Sequence, residues 1–181
     1  IFKMKRFFDN YFLSFTDKIL EHKEINPKLL ELAHKIKKLK KNKLYIFGNG
    51  GSLSIANHVQ LDFMNKCKIN TYQGNDAGLI SCFTNDYGYE NWISLVLKKT
   101  ATNKDIVILI SSSGKSKNML KAFKTANKMG IKNIYSLTGF NKSNPLKKMT
   151  KNKSLWVNSK SYNFIENIHQ IWLLAMVDYL S

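Results

Sequence analysis

The chain has 181 residues, 44% of them hydrophobic, and 29 Lys or Arg against 12 Asp or Glu give it a formal net charge of +17. This apolar content excludes an intrinsically disordered protein, and no apolar run approaches the roughly 20 residues that span a bilayer. Because Arg6 is the only arginine and the lysines are scattered, we expect a solvated Lys-rich surface rather than a nucleic-acid-binding face.

Apolar residues recur at helical spacing over residues 4–40, which predicts two helices with a break near Asn26 and Pro27. We expect these N-terminal helices to serve in packing and oligomerisation. The continuous apolar run at 44–47 predicts a buried strand, which stops at the glycine turn 48–51.

In the middle of the chain, the sequence predicts two more helices, one before and one after a polar cluster at 85–89. Ser52 is expected to cap a helix that runs to Lys66. The segment 76–84 leads to a functional loop or a plain turn at 85–89, and a helix is predicted at 90–99.

The remaining elements are predicted as a strand at 106–110, a helix at 117–128, a strand at 131–138, a weak strand at 154–158 and a long helix at 162–180. Strands that alternate with helices over short turns favour parallel pairing. We therefore expect one α/β domain over 1–181. It is a three-layer sandwich with a central parallel sheet flanked by helices, and the N-terminal helices extend it.

Two loops follow predicted strands and open helices, where ligands bind in open α/β sheets. The loop 111–116 places four serines around Gly114 beside a helix N-terminus, which suits a phosphate ester better than capping alone. In the loop 48–52, the glycines allow close approach, and Asn49 and Ser52 offer polar groups to sugar hydroxyls. Together the loops predict a small phosphorylated sugar as the ligand.

Four groups of residues also occur in the order of a known family: GNGGS at 48–52 with His58 and Asp62, NDYGY at 85–89, SSSGKS at 111–116, and IENIH at 165–169. In these motifs the chain resembles the phosphoheptose (sedoheptulose 7-phosphate) isomerases, which have the sugar isomerase (SIS) domain fold. The resemblance implies a substrate site made of Asn49, Gly50, Gly51, Ser52, Asn85, Asp86, Ser111, Ser112, Ser113 and Ser116.

The resemblance further implies a function and an assembly. Family members convert sedoheptulose 7-phosphate to a heptose 7-phosphate for surface polysaccharide synthesis, as lipopolysaccharide or capsule precursors. They are usually homotetramers whose active sites use residues of neighbouring subunits. A cytoplasmic location is expected, because residues 1–12 lack a signal peptide's apolar core and Cys67 and Cys82 form no disulfide framework.

The chain departs from the family at the positions that matter for chemistry. The family places His, Glu, Gln and His around a zinc ion, and here these positions hold His58, Asp62, Glu166 and Leu174. The resemblance therefore implies a possible zinc site of His58, Asp62 and Glu166. A hydrogen-bonded pair of His58 and Asp62 is the alternative.

Isomerisation needs a group that moves a proton between C1 and C2. The catalytic candidates are Asp62, Glu166 and His169, although His169 could equally be a packed histidine. Leu174 cannot transfer a proton, so a noncatalytic sugar-phosphate-binding protein, either a sensor or a partner subunit, is the alternative function.

Overall fold

The structure is a computed structural model that describes residues 2–72 and 74–181, with the side chains of residues 6–72 and 74–181. Its α-helices and strands are α1 (Phe2–Leu20), α2 (Asn26–Lys37), β1 (Leu44–Phe47), α3 (Gly51–Asn65), α4 (Ala77–Tyr87), α5 (Trp92–Thr100), β2 (Ile106–Ile110), α6 (Lys117–Lys128), β3 (Asn133–Thr138), α7 (Pro145–Thr150), β4 (Ser154–Trp156) and α8 (Tyr162–Leu180). Short 3-10 turns at Lys23–Ile25 and Lys151–Lys153 precede α2 and β4.

The sheet has four strands in the order β1-β2-β3-β4, and every neighbouring pair is parallel. Leu44 pairs with Ile106, and Ile106 pairs in turn with Asn133. Parallel neighbours require a crossover between successive strands, and helices supply it. The predicted fold class, a parallel sheet between layers of helices, is confirmed.

The strands β1 and β2 are continuous apolar runs in the sequence, because an apolar cluster covers each face of the sheet. Ile106, Ile108 and Ile110 point to a cluster that includes residues of α2, α3 and α8. Val107 and Leu109 point to the other cluster, with residues of α5 and α6. Successive side chains of a strand face opposite sides, so a strand covered on both faces has no polar positions.

The structure differs from the sequence prediction at several element boundaries and in one helix. The first helix ends at Leu20, before the expected break, and Pro27 lies in the first turn of α2, where its missing N–H costs no helical hydrogen bond. The short helix α7 was missed, because six residues are too few to show a helical period. Asn144 caps it by accepting the N–H of Lys147 at 2.9 Å.

The first helix packs against the last one through aromatic rings. The ring centroids of Tyr11 and Phe15 lie 5.2 and 5.5 Å from that of Phe164 on α8. On the same helix, Phe12 and Leu13 are 63% and 65% exposed. None of the helices within 2–72 and 74–181 has the length and apolar character of a bilayer span.

Candidate functional site

The two predicted ligand loops meet at the carboxyl edge of the sheet, as expected for neighbouring parallel strands. One loop connects β1 to α3, and the other connects β2 to α6. Between them lies a cavity of about 210 Å³, which we call the serine cavity. It is lined by Asn49, Ser52, Ile110, Ser111, Ser112, Ser113, Ser116, Tyr162 and Glu166.

The serine loop presents hydroxyls that do not serve as helix caps. Ser116 is the N-cap residue of α6, but within the described chain its side chain makes no capping bond. Its Oγ instead lies 3.0 Å from that of Ser111. The Ser112 hydroxyl is buried without a hydrogen-bond partner among the described residues. Hydroxyls beside the first amides of a helix form a site for an anion.

The serine loop is held in place from behind by Asn144. Gly114 has a φ of +63°, and a Cβ there would collide with the Asn144 side chain, so only glycine fits. The Gly114 carbonyl accepts the N–H of Leu146 at 3.1 Å. The loop conformation is therefore fixed by α7, the helix that the sequence did not reveal.

The glycine loop brings α3 close to α8. A Cβ on Gly51 would collide with the carboxylate of Glu166. The hydroxyl of Ser52 donates to Oε1 of Glu166 at 3.4 Å. The prediction that Ser52 caps α3 is wrong, because Gly50 holds the N-cap position and Ser52 lies inside the helix.

Glu166 separates the serine cavity from a second cavity of about 290 Å³, which we call the histidine cavity. Its lining consists of Gly51, Ser54, Ile55, His58, Glu166, Asn167 and Gln170. Nε2 of Gln170 lies 3.2 Å from Nδ1 of His58. A single carboxylate thus borders both spaces, one rich in hydroxyls and one with an imidazole.

Asp62 lies outside both cavities. Its Oδ2 is 3.6 Å from Nε2 of His58 and 3.2 Å from Nζ of Lys66, each one helical turn away. His58 and Asp62 are therefore neighbours, but at 3.6 Å the contact is too long for the hydrogen bond that the sequence left open as an alternative. Leu174 packs against the apolar cluster beneath α8.

The three predicted zinc ligands do not come together as a site. No cluster of three His, Cys, Asp or Glu side chains that could hold a metal occurs in the described chain. The Glu166 carboxylate is directed to Ser52 and Gly51, whereas Asp62 is engaged with Lys66. As arranged in this chain, His58, Asp62 and Glu166 do not fit a zinc ion.

His169 is a core residue, and its predicted catalytic role is corrected. The ring is fully buried, and its Nε2 lies 3.2 Å from the carbonyl oxygen of Thr138. Burial lowers the pKa of His169 to about 4, although the Thr138 carbonyl opposes this shift. His169 lies three residues after Glu166 on α8, and its side chain points into the apolar layer and away from both cavities.

The segment 85–89 is divided between a helix and a turn. Asn85 and Asp86 belong to the last turn of α4, are exposed and bond to each other at 2.9 Å. Both lie outside the serine cavity, so their contact with substrate stays a prediction. Gly88 ends the helix with a φ of +84°, and Tyr89 then reaches Asn49.

Several residues of the site were missed at the sequence level. Tyr162 and Gln170 lie four residues before and after Glu166 on α8, so the helical spacing alone could have grouped them. Tyr89 lies in the NDYGY motif but was given no role there, and Asn118 had no sequence signal; both contact Asn49.

Comparison with known proteins assigns the family. Residues 10–139 match the SIS domain model. Phosphoheptose isomerase of Helicobacter pylori (strain P12) is 30% identical over 177 residues, which cover 88% of this chain and 90% of that protein. The chain belongs to the phosphoheptose isomerase family. A further member of the phosphoheptose isomerase family, from Thermodesulfovibrio yellowstonii, is 37% identical over 102 residues, about half of each chain (51% and 49%).

Solved structures of phosphoheptose isomerases share the fold. The Neisseria gonorrhoeae enzyme superposes with a TM-score of 0.88 at 22% identity and covers 98% of this chain and 99% of that one. The Francisella tularensis enzyme gives the same TM-score of 0.88 at 23% identity, over 98% and 97% of the two chains. The resemblance read from the sequence motifs is confirmed at the level of family and fold.

Proposed function

We propose that this chain interconverts the ketose and aldose forms of a sugar phosphate, with sedoheptulose 7-phosphate as the ketose. The observation that carries the proposal is the position of Glu166, which borders both the serine cavity and the histidine cavity. Membership of the phosphoheptose isomerase family supports the substrate.

The serine cavity is suited to the phosphate end of the substrate. Ser111, Ser112, Ser113 and Ser116 line it beside the N-terminus of α6. Hydroxyls and helix amides stabilise a phosphate by charge-assisted hydrogen bonds. The sugar carbons would then extend towards Glu166.

Glu166 is suited to the proton transfer. In the reaction, a base takes a proton from C1 of the ketose and returns it at C2, while the hydroxyl proton passes from O1 to O2. The Glu166 carboxylate is the acidic side chain that lines the cavities, and Ser52 holds one of its oxygens. We keep Asp62 as a second candidate, because it occupies the position of the family's Glu and its carboxylate can accept a proton.

The remaining expectations are part of the same proposal. Residues 1–181 would act as one unit in a cytoplasmic homotetramer that supplies precursors for surface polysaccharide. The exposed apolar side chains of α1 and an apolar groove of about 540 Å³ between α2 and α8 support self-association. In such an assembly, Asn85 and Asp86 would complete the site of a neighbouring subunit. The free thiols of Cys67 and Cys82 are consistent with a reducing compartment.

The test is incubation of the purified chain with sedoheptulose 7-phosphate in deuterium oxide. We expect an aldose product and incorporation of deuterium at the carbon that is reprotonated. Absence of both would contradict the substrate assignment. If phosphosugars raise the melting temperature but none is converted, the chain is instead a noncatalytic sugar-phosphate-binding protein.

A further inference from the structure

The side chain of Asn49 is held by a network that starts in the backbone of α6. The N–H of Met119 donates to Oδ1 of Asn118 at 3.0 Å. Because a backbone N–H can only donate, this contact identifies Oδ1 of Asn118 as the acceptor and its Nδ2 as the donor. Asn118 is 2% exposed, so this amide orientation is fixed by buried contacts.

Asn118 in turn fixes the orientation of Asn49. Nδ2 of Asn118 donates to Oδ1 of Asn49 at 2.7 Å, and Nδ2 of Asn49 donates back to Oδ1 of Asn118 at 3.0 Å. The hydroxyl of Tyr89 donates a second hydrogen bond to Oδ1 of Asn49 at 2.9 Å. A carbonyl oxygen has two lone pairs, and both are now occupied.

Asn49 therefore faces the serine cavity as a hydrogen-bond donor. Its Oδ1 accepts from Asn118 and Tyr89, and one of its two Nδ2 hydrogens is used by Asn118. The second Nδ2 hydrogen is left for a ligand in the cavity that Asn49 lines. Such a donor recognises an oxygen acceptor, which a phosphorylated sugar carries in its phosphate, carbonyl and hydroxyl groups.

Tyr89 is held over this site by its neighbours in the chain. Gly88, with a φ of +84°, turns the chain after α4. Nζ of Lys121 on α6 then binds Oε1 of Glu90 at 3.1 Å and Oδ1 of Asn91 at 2.9 Å. The segment that follows Tyr89 is thereby attached to the same helix that carries Asn118.

We propose that Tyr89 is a positioning residue, which keeps Asn49 in the donor orientation that binds an oxygen of the sugar phosphate. The proposal rests on the proposed function, because it assigns a specificity role within the same site. Tyr89 itself acts through Asn49. Loss of its hydroxyl frees a lone pair of Asn49 Oδ1 and removes one of the three hydrogen bonds that hold the amide.

The test is calorimetric titration of sedoheptulose 7-phosphate into the full chain and into Tyr89→Phe. One neutral hydrogen bond corresponds to about a fivefold change in affinity, so Tyr89→Phe should raise the Kd roughly fivefold. Steady-state kinetics should show KM raised by a similar factor with kcat nearly unchanged, because the contact is made before and during the reaction. Tyr87→Phe is the matched control, since the hydroxyl of Tyr87 has no partner among the described residues, and its Kd should equal that of the wild type.

A double-mutant cycle separates positioning from a direct contact. In an Asn49→Ala background, Tyr89→Phe should cause no further loss of affinity. An unchanged Kd for Tyr89→Phe, or the same fivefold loss in both backgrounds, overturns the positioning role while the proposed function stands. A wild-type chain that neither binds nor converts sugar phosphates overturns both. Melting temperatures of all variants verify that they fold.

Discussion

The hydroxyl of Ser52 and the carboxylate of Glu166 meet across the α3–α8 interface, with Oγ 3.4 Å from Oε1. Ser52 is 3% exposed, and it is fixed in the first turn of α3. The contact therefore anchors one oxygen of Glu166 at the boundary of the two cavities. The other oxygen, Oε2, lies against Gly51.

Replacing Glu166 by Gln should abolish most of the turnover. Gln keeps the shape of Glu but cannot accept a proton, and a positioned acid–base group contributes about 10²- to 10⁴-fold. We expect kcat to fall within this range while KM changes little. Asp178→Asn, at an exposed position of the same helix, is the matched control in the same assay. Equal kcat values for the two variants would remove Glu166 from the mechanism.

Replacing Ser116 by Ala should weaken phosphate binding. A hydrogen bond to a charged group is worth about 1.5–3 kcal/mol, which corresponds to roughly a 10- to 100-fold loss of affinity. We expect KM for the sugar phosphate and the inhibition constant of inorganic phosphate to rise together. Ser81→Ala on α4 should leave both constants unchanged. A rise in KM without any change for phosphate would place Ser116 at the sugar instead.

Replacing Gly51 by Ala should separate stability from activity. A Cβ at this position collides with the end of the Glu166 side chain, which can swing away. Ala is also the better helix former by about 0.5–1 kcal/mol. We expect a melting temperature equal to or above that of the wild type, with kcat reduced at least about tenfold by misplacement of the carboxylate. Wild-type kcat in a folded Gly51→Ala variant would argue that the position of Glu166 is unimportant.

The buried His169 should make the fold sensitive to acid. Its pKa is about 4 in the folded chain, below the ordinary value of 6.5, because burial disfavours the charged ring. The unfolded chain thus binds the proton more readily, so the stabilisation is present above pH 6.5 and is lost as pH falls towards 4. The free energy of unfolding should fall by on the order of 3 kcal/mol over this interval.

Chemical denaturation at several pH values measures this loss of stability. A His169→Gln variant should lose that part of the pH dependence, even if it is less stable throughout. His34→Gln, at an exposed position of α2, should retain it. If the wild type and His169→Gln show the same slope between pH 6.5 and 4, the histidine is not the group responsible.

A charge on the outer face of α1 should weaken self-association. Phe12 is 63% exposed in the isolated chain, and a buried Phe contributes about 1.5–3 kcal/mol. We expect Phe12→Glu to shift the chain to smaller species in light scattering coupled to size exclusion. Asn10→Glu places the same charge on the same helix and should have less effect. A wild-type chain that is monomeric would contradict the proposed assembly.

Much of the fold followed from local patterns. The run 106–110 was assigned as a buried strand because five apolar residues precede a polar loop. The helix α6 was assigned with its observed bounds because the serine loop precedes it and Met129 and Gly130 end it. The helix caps were harder to predict from the sequence. Ser52 and Ser116 are good N-cap residues by type, yet both line the serine cavity and neither side chain caps its helix.

The sequence by itself determined the alternation of strands and helices, the two loops at the strand ends and the family, because each depends on residues that are close together in the chain. Only the tertiary structure decided that Glu166 faces the cavities and His169 the core. The helix α8 is apolar on several sides, so its sequence does not say which face packs. Tyr89 and Asn49 are 40 residues apart, and only folding brings them together.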